Sequence, residues 1–369
     1  PAKTFQISFK NLKYHNIPLF FSFRFELICI LLKKLGKINT ERTIQTYLVN
    51  KKGYRTMNIL YCGDKPMQKG ILLSSMSLVE NVDEPLNIYI ITVDYREKGV
   101  NYKPVDKVFA EYLKKELNKS DIDVNVSLID ITRYFVEELP EANMQTRFTA
   151  CCMLRLFADK TDINERLLYL DTDVLCRKNF SDFYYQDMEG IEIAGVSDYY
   201  GRWLFGDGYI NSGVMLMNMN MIRENGLLEK CREQCIRKEM FMPDQTAINT
   251  FATRVNLCGH RFNDQRRLHG NTVFQHFTTT FRVFPVIRTV AVKPWEIDKM
   301  HNVLGLHEYD ALLESYNREY EEYKAVSRIP VVFSINEQYA PYLAVCLKSL
   351  AVHVAVDERY RIIVMCDNV

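Results

Sequence analysis

No run of 18 or more apolar residues occurs in the 369-residue chain, which argues against a transmembrane helix. The nearest approach, IPLFFSFRFELICILLKKLG at 17–36, is broken by Arg24 and Glu26 and is followed by no small-residue cleavage site. The ten cysteines form no CxxC pair and no zinc-type set; their closest spacings are the adjacent Cys151–Cys152 and the helical Cys231/Cys235. That excludes a zinc module and favours a reduced, cytosolic setting. Net charge is nearly absent at +1, so nothing global points to a nucleic-acid partner. What remains is 47% hydrophobic and 25% charged, the composition of a folded protein with one large domain or two.

The charge is unevenly placed. Residues 1–56 carry many Lys and Arg against only Glu26 and Glu41. This basic N-terminal extension has the makings of an amphipathic helix on an acidic membrane surface, a peripheral contact at the inner membrane face. The plainer expectation is a poorly specified extension ahead of a true start at Met57, where the ordered pattern begins.

From there, apolar strands alternate with helical stretches. MNILYCGD (57–64), LNIYIITVD (86–94) and DVNVSLIDI (123–131) read as strands; ILLSSMSLVENV (71–82), residues 105–118 and TACCMLRLFADK (149–160) read as helices. Such alternation predicts an α/β fold with a mostly parallel sheet flanked by helices. Residues 57–305 form the expected main domain and 306–328 a charged helical linker. IPVVFSINEQYAPYLAVCLKSL (329–350) then repeats the layout of 57–78, and YRIIVMCDN echoes LNIYIITVD. Residues 329–369 thus read as the start of a second, truncated copy, too small to bury a core alone.

The chemistry concentrates in RLLYLDTDVLCRKNF (166–180). Side chains at i and i+2 share a strand face, so Tyr169, Asp171 and Asp173 point one way. Two carboxylates facing one cavity repel unless a cation lies between them, and hard oxygen ligands suit Mg²⁺ or Mn²⁺ with substrate phosphates completing the shell. The end of a strand in an open α/β sheet is where ligands bind. A pair of solvated turn aspartates explains the triplet equally well by itself. A phosphatase strand of the DxDx[T/V] type is a remoter alternative, since Leu175 fills its fifth position and the motif lies deep in the chain.

Company strengthens the metal reading. Asn211 and Ser212 in YINSGVMLMNM are small polar groups expected at a turn before a strand. Asp244 and Gln245 in FMPDQTAINTF fall in a helix's first turn, where an acid is favoured by the dipole. His276 stands among apolar neighbours in VFQHF, and Lys293 in VAVKPW is a point charge able to meet phosphate.

In this order, MLRL…LLYLDTDVL, NSGVMLMN, PDQTAIN, HF and KPW resemble family 8 glycosyltransferases. These are retaining enzymes of GT-A fold, a group that includes bacterial lipopolysaccharide galactosyl- and glucosyltransferases and glycogenin. The resemblance runs over roughly 57–300. It implies a hexosyltransferase moving glucose or galactose from a UDP-sugar, with Mn²⁺ or Mg²⁺, to a glycan or lipid-linked glycan acceptor. Asp171, Asp173 and His276 match the metal ligands, Arg155 the basic residue near the diphosphate and donor sugar, and Lys293 the phosphate-binding lysine of HFxGxxKPW. Asn211 and Ser212 match donor-sugar contacts, Asp244 and Gln245 the catalytic-centre motif, and Cys62 and Asp64 the nucleoside-binding turn. The implied mechanism is front-face attack by an acceptor hydroxyl, with a leaving-phosphate oxygen as base and Gln245 beside the oxocarbenium-like carbon.

Two departures stand out. The His-to-Lys loop is stretched to HFTTTFRVFPVIRTVAVKPW, so Lys293 lies seventeen residues after His276. The first turn reads CGDKPM, and Tyr339 in the second copy has the aromatic ring suited to uracil where the first has Met67. These departures leave open a catalytically silent nucleotide- or glycan-binding module.

Overall fold

The computed structural model describes residues 56–366 apart from 98, 146–149, 164–165, 283–287, 327 and 354–359. The expectations for the basic extension, membrane contact included, fall on residues 1–55, outside the described residues.

Alternating apolar strands and helices build one sheet covered on both faces. Strand β1 (Met57–Cys62) leads through a short turn into helix α1 (Gln68–Val79), followed by β2 (Leu86–Thr92), α2 (Lys107–Leu117) and β3 (Val124–Asp130). Then come β4 (Arg166–Leu170), β5 (Val174–Cys176), β6 (Ile193–Ser197), β7 (Ile210–Asn218), helix α3 (Pro243–Phe251), β8 (Val255–Leu257) and β9 (Phe274–His276). The main sheet runs β3-β2-β1-β4-β7-β6-β8. Strands β3, β2, β1 and β4 are parallel, and β7 is antiparallel to β4 and β6. The mixed, mostly parallel sheet predicted from the sequence is therefore present.

Alternate residues of each central strand enter different cores, which is why these strands read as continuous apolar runs. Ile59, Tyr61, Leu168 and Leu170 pack on one face with α1 and α2. Leu60, Cys62, Leu167 and Tyr169 pack on the other, against Met153, Leu154 and Phe157. Those last three belong to residues 150–160, where the expected helix is wound as a 3₁₀ helix. Its three-residue turn stacks Arg155 over Cys152, and the Arg155 Nε donates to the Cys152 carbonyl at 2.8 Å. The tighter winding thus aims Arg155 along the sheet toward the end of β4.

Two further strands, β10 (Thr280–Arg282) and β11 (Arg288–Val290), form an antiparallel hairpin. Helix α4 (Asp310–Val326) falls within residues 306–328, where a charged helix was expected, but one stripe of it is apolar. Leu312, Leu313, Tyr316 and Tyr323 are buried in the core shared with α1 and α2, and the Tyr112 hydroxyl donates to the Glu319 carbonyl at 2.8 Å. Beyond it, β12 (Ile329–Ile335), helix α5 (Ala340–His353) and β13 (Tyr360–Cys366) reproduce the strand-helix-strand order of β1, α1 and β2. Strands β12 and β13 pair in parallel along their whole length, while α5 buries none of its side chains.

Candidate active site

Strand β4 stops at Leu170, before the acidic pair. The Asp171 amide donates to the Gly213 carbonyl at 2.8 Å, and the Val174 amide turns back to the Asp171 carbonyl at 3.1 Å. The DTD triplet is therefore a turn at the carboxyl edge of the sheet, not an extension of the strand. From it, β5 leaves to pair antiparallel with β9, placing Val174 opposite His276. Chain neighbours of Asp173 and His276 are thus locked side by side, and the imidazole Nε2 lies 3.3 Å from Asp173 Oδ1 and 3.5 Å from Asp171 Oδ2.

Each carboxylate keeps its other oxygen occupied. Asp171 Oδ1 accepts from the Arg155 guanidinium at 2.8 Å and the Tyr169 hydroxyl at 2.6 Å. Asp173 Oδ2 pairs with the Lys293 ammonium. The free faces of Asp171, Asp173 and His276 converge, their ligand atoms all within 4.8 Å of one another. One observation tests whether this cradle is built to stay open. A Cβ on Gly213 would fall on His276 Cε1 and within 2.8 Å of Asp171 Oδ2. Only glycine leaves the space free, and the donor set of two carboxylates and an imidazole fits Mn²⁺ or Mg²⁺.

The electrostatics follow from burial and pairing. Burial works to raise the Asp173 carboxyl, but the charges of Lys293 and His276 outweigh it and hold the group well below the usual carboxylate range. Burial opposes the charge on Lys293, yet Asp173 raises its pKa above the ordinary value. Arg155, 4% exposed, likewise overcomes desolvation through Asp171. It is the hub of the site, donating to the Ser212 carbonyl at 2.6 Å, pairing with Asp244 at 3.3 Å and packing 4.2 Å from the Tyr169 ring centre. Asp244 is thus held by Arg155 and by the Ser212 hydroxyl at 3.0 Å, and no side-chain cap bond is made at the start of α3.

Asn211 and Ser212 lie inside β7, not at a turn before it. The strand begins earlier because Ile210 is tied to the Asn249 side chain and pairs with Ser197, across an irregularity in the β6 register. Gln245 Oε1 accepts from the Ser212 amide at 3.1 Å, so the two motifs meet. At the end of β1, Cys62 is buried and its thiol is pushed up by desolvation. Asp64 is buried with Oδ1 lacking any hydrogen-bond partner, and burial pushes its carboxyl up to about 6. Lys293, despite its long sequence separation, reaches Asp173, because β10 and β11 pair antiparallel and bring the two ends of the insertion together.

Three residues escaped the sequence reading. Asp198 follows the apolar strand IAGVS, the same signal that marked Asp64 and Asp171. Gly213 stands in the NSGVMLMN run, but its need for space, like the contact of Asn263 with His276, shows only where β4, β7 and β9 meet.

A family model for glycosyl transferase family 8 matches residues 58–296. The chain belongs to that family. Among curated family relatives, GlyA of Streptococcus pneumoniae is 26% identical over 176 residues, covering 48% of this chain and 24% of GlyA. The lipopolysaccharide 1,2-glucosyltransferase of Escherichia coli is 23% identical over 256 residues, 60% of this chain and 71% of that enzyme. The chain therefore spans about a quarter of GlyA's length. An active-site mutant of LgtC superposes with a TM-score of 0.51 at 16% identity, over 72% of this chain and 96% of that one, which shows the GT-A fold. Family membership sets the phosphatase alternative aside. Tyr339 lies beyond the matched residues and is exposed beside Tyr342 in the second strand-helix-strand unit.

Proposed function

We propose that this family 8 chain transfers a glucosyl or galactosyl group from a UDP-sugar to a hydroxyl of a glycan acceptor, with a divalent cation and retention at the anomeric carbon. The observation that carries the reading is the open cradle of Asp171, Asp173 and His276, with each carboxylate anchored from behind by a cation. The name of the E. coli relative supports a hexose donor and a surface-glycan acceptor.

A bound Mn²⁺ or Mg²⁺ supplies Lewis-acid stabilisation to the diphosphate leaving group. Asp171, Asp173 and His276 hold the ion. Lys293, held against Asp173 Oδ2 at the edge of the cradle, adds fixed positive charge where negative charge develops. Asp64, with its unsatisfied Oδ1, accepts an N–H of the nucleobase. Arg155 fixes Asp171 and Asp244 at opposite edges of the donor-sugar site, and Asn211 and Ser212 line it. Gln245, its carbonyl oxygen clamped by Ser212, lies beside the oxocarbenium-like carbon while the acceptor hydroxyl attacks from the leaving-group face.

The test is UDP release in a screen of UDP-hexoses and glycan acceptors with Mn²⁺, followed by the anomeric configuration of the product. Turnover that EDTA abolishes and added Mn²⁺ restores is expected. Undiminished activity in EDTA discards the metal role. UDP binding without turnover of any donor makes the chain a binding module.

A further inference from the structure

The metal-facing nitrogen of His276 is set by a chain of side-chain amides that begins at Asp198. Asp198 Oδ1 accepts from the backbone amides of Tyr200 and Gly201 at 3.0 and 2.6 Å. Its Oδ2 accepts from Asn211 Nδ2 at 2.8 Å and Gln245 Nε2 at 3.1 Å. Asn211 is therefore fixed with its nitrogen toward Asp198. The same orientation is imposed from the other end, because the Gly213 backbone amide, which can only donate, meets Asn211 Oδ1 at 3.0 Å.

That oxygen also accepts from Asn263 Nδ2 at 2.9 Å. Asn263, 1% exposed, must then present Oδ1 to its remaining neighbour, His276 Nδ1, at 3.1 Å. A carbonyl oxygen has no proton to give, so Nδ1 carries the hydrogen. The Nε2 lone pair is left facing Asp171 Oδ2 and Asp173 Oδ1. The two carboxylates would otherwise draw the proton to Nε2, where it would block ligation.

We propose that Asn263 is a positioning residue that holds His276 in the Nδ1–H form, with Asp198 and Asn211 fixing the amide orientation on which this depends. One carboxylate thereby orients both His276, through two asparagines, and the Gln245 amide directly. The inference rests on the metal reading above. Its general basis is that the outer hydrogen bond of a ligating imidazole sets its tautomer and ring orientation.

The test measures Mn²⁺ affinity in the presence of UDP, by electron paramagnetic resonance of free Mn²⁺, for the wild type, His276→Ala, Asn263→Leu and Asn263→Asp. UDP affinity without metal and thermal unfolding are recorded alongside. Asn263→Leu, which loses the acceptor, is expected to weaken Mn²⁺ binding roughly 10- to 100-fold with metal-free UDP affinity unchanged, whereas Asn263→Asp, which keeps an acceptor, stays within about threefold of wild type. A folded Asn263→Leu that binds Mn²⁺ like the wild type overturns the proposal. Should that variant not fold, Asn263→Asp decides: retained affinity supports the proposal and lost affinity overturns it. If His276→Ala binds Mn²⁺ as tightly as the wild type, the metal reading itself fails and takes this inference with it. The His276→Ala arm thus separates the two failures.

Discussion

Gly213 sits in β7 with an ordinary strand backbone, so its requirement is for space alone. A methyl there displaces the His276 ring that β9 holds in register with β5. Gly213→Ala is therefore expected to cost about 1–3 kcal/mol of stability by overpacking. Its Mn²⁺ affinity should fall by more than the His276→Ala loss, because Asp171 Oδ2 is displaced as well; calorimetric titration checks this. Asp64 carries the opposite kind of cost. Its folded-state pKa is raised to about 6 by burial, so the stability linked to its neutral form is present below the ordinary carboxylate pKa and is lost as pH rises past about 6. Asp64→Asn removes the buried charge. The variant should outlast the wild type by about 3 kcal/mol at pH 7.5 and by only about 0.5 kcal/mol at pH 4, while binding UDP more weakly because an accepting oxygen is gone. Thermal melts and UDP titrations at the two pH values check both signs. A wild type equally stable at both, relative to the variant, would count against the assigned cost.

At the scale of elements, most strands and helices were legible because each central strand is apolar on both faces, α2 and α4 are apolar on one stripe, and α1, buried all round from Gly70 to Leu78, is a continuous run of apolar and small residues. The DTD turn was legible as a carboxylate pair, since an acid ending an apolar strand needs a reason to be there. The partners of that turn were not. His276 meets Asp173 only through the β5–β9 pairing, a two-strand ladder of three residues on each side, shorter than any periodicity can register. Asn263 has still less local signal, since its role depends on Asn211 lying next to it across strands. The 3₁₀ winding of residues 150–160 was hidden for a related reason, because an apolar run shows burial without fixing its period. The stretched His-to-Lys loop looked disruptive in one dimension, but Thr280 pairs with Val290, so the ends of the insertion are already together. Replacing residues 281–289 by Asn-Gly, the favoured two-residue hairpin turn, should leave the UDP-release rate within about twofold of wild type. A larger loss would show that the hairpin itself touches a ligand.

At the scale of the whole molecule, residues 57–305, the expected main domain, and the strand-helix-strand of β12, α5 and β13 contrast in burial. In the main domain, helices cover both faces of the sheet. In the second unit Val332, Val345, Tyr342 and Met365 are exposed, and a two-stranded sheet with one helix is marginal by itself. Helix α4 lies between them in sequence but belongs energetically to the first. Its Leu312, Leu313, Tyr316 and Tyr323 are each at most 6% exposed, and the Tyr323 hydroxyl donates to Gln68 Oε1 at 3.2 Å, tying α4 to the start of α1. Two truncations separate these contributions. A chain ending at Val326 loses the second unit and no residue of the shared core, so its melting temperature should stay within about 4 °C of the full chain, with UDP and Mn²⁺ binding retained. A chain ending at Tyr309 also loses four buried side chains, worth about 1.5–3 kcal/mol each and so roughly 6–12 kcal/mol together. That rivals the 5–15 kcal/mol by which a domain is stable at all; this shorter chain should be insoluble or unfolded by circular dichroism. Equal stability of the two truncations would mean that α4 is a tether, and the domain boundary would move to residue 309.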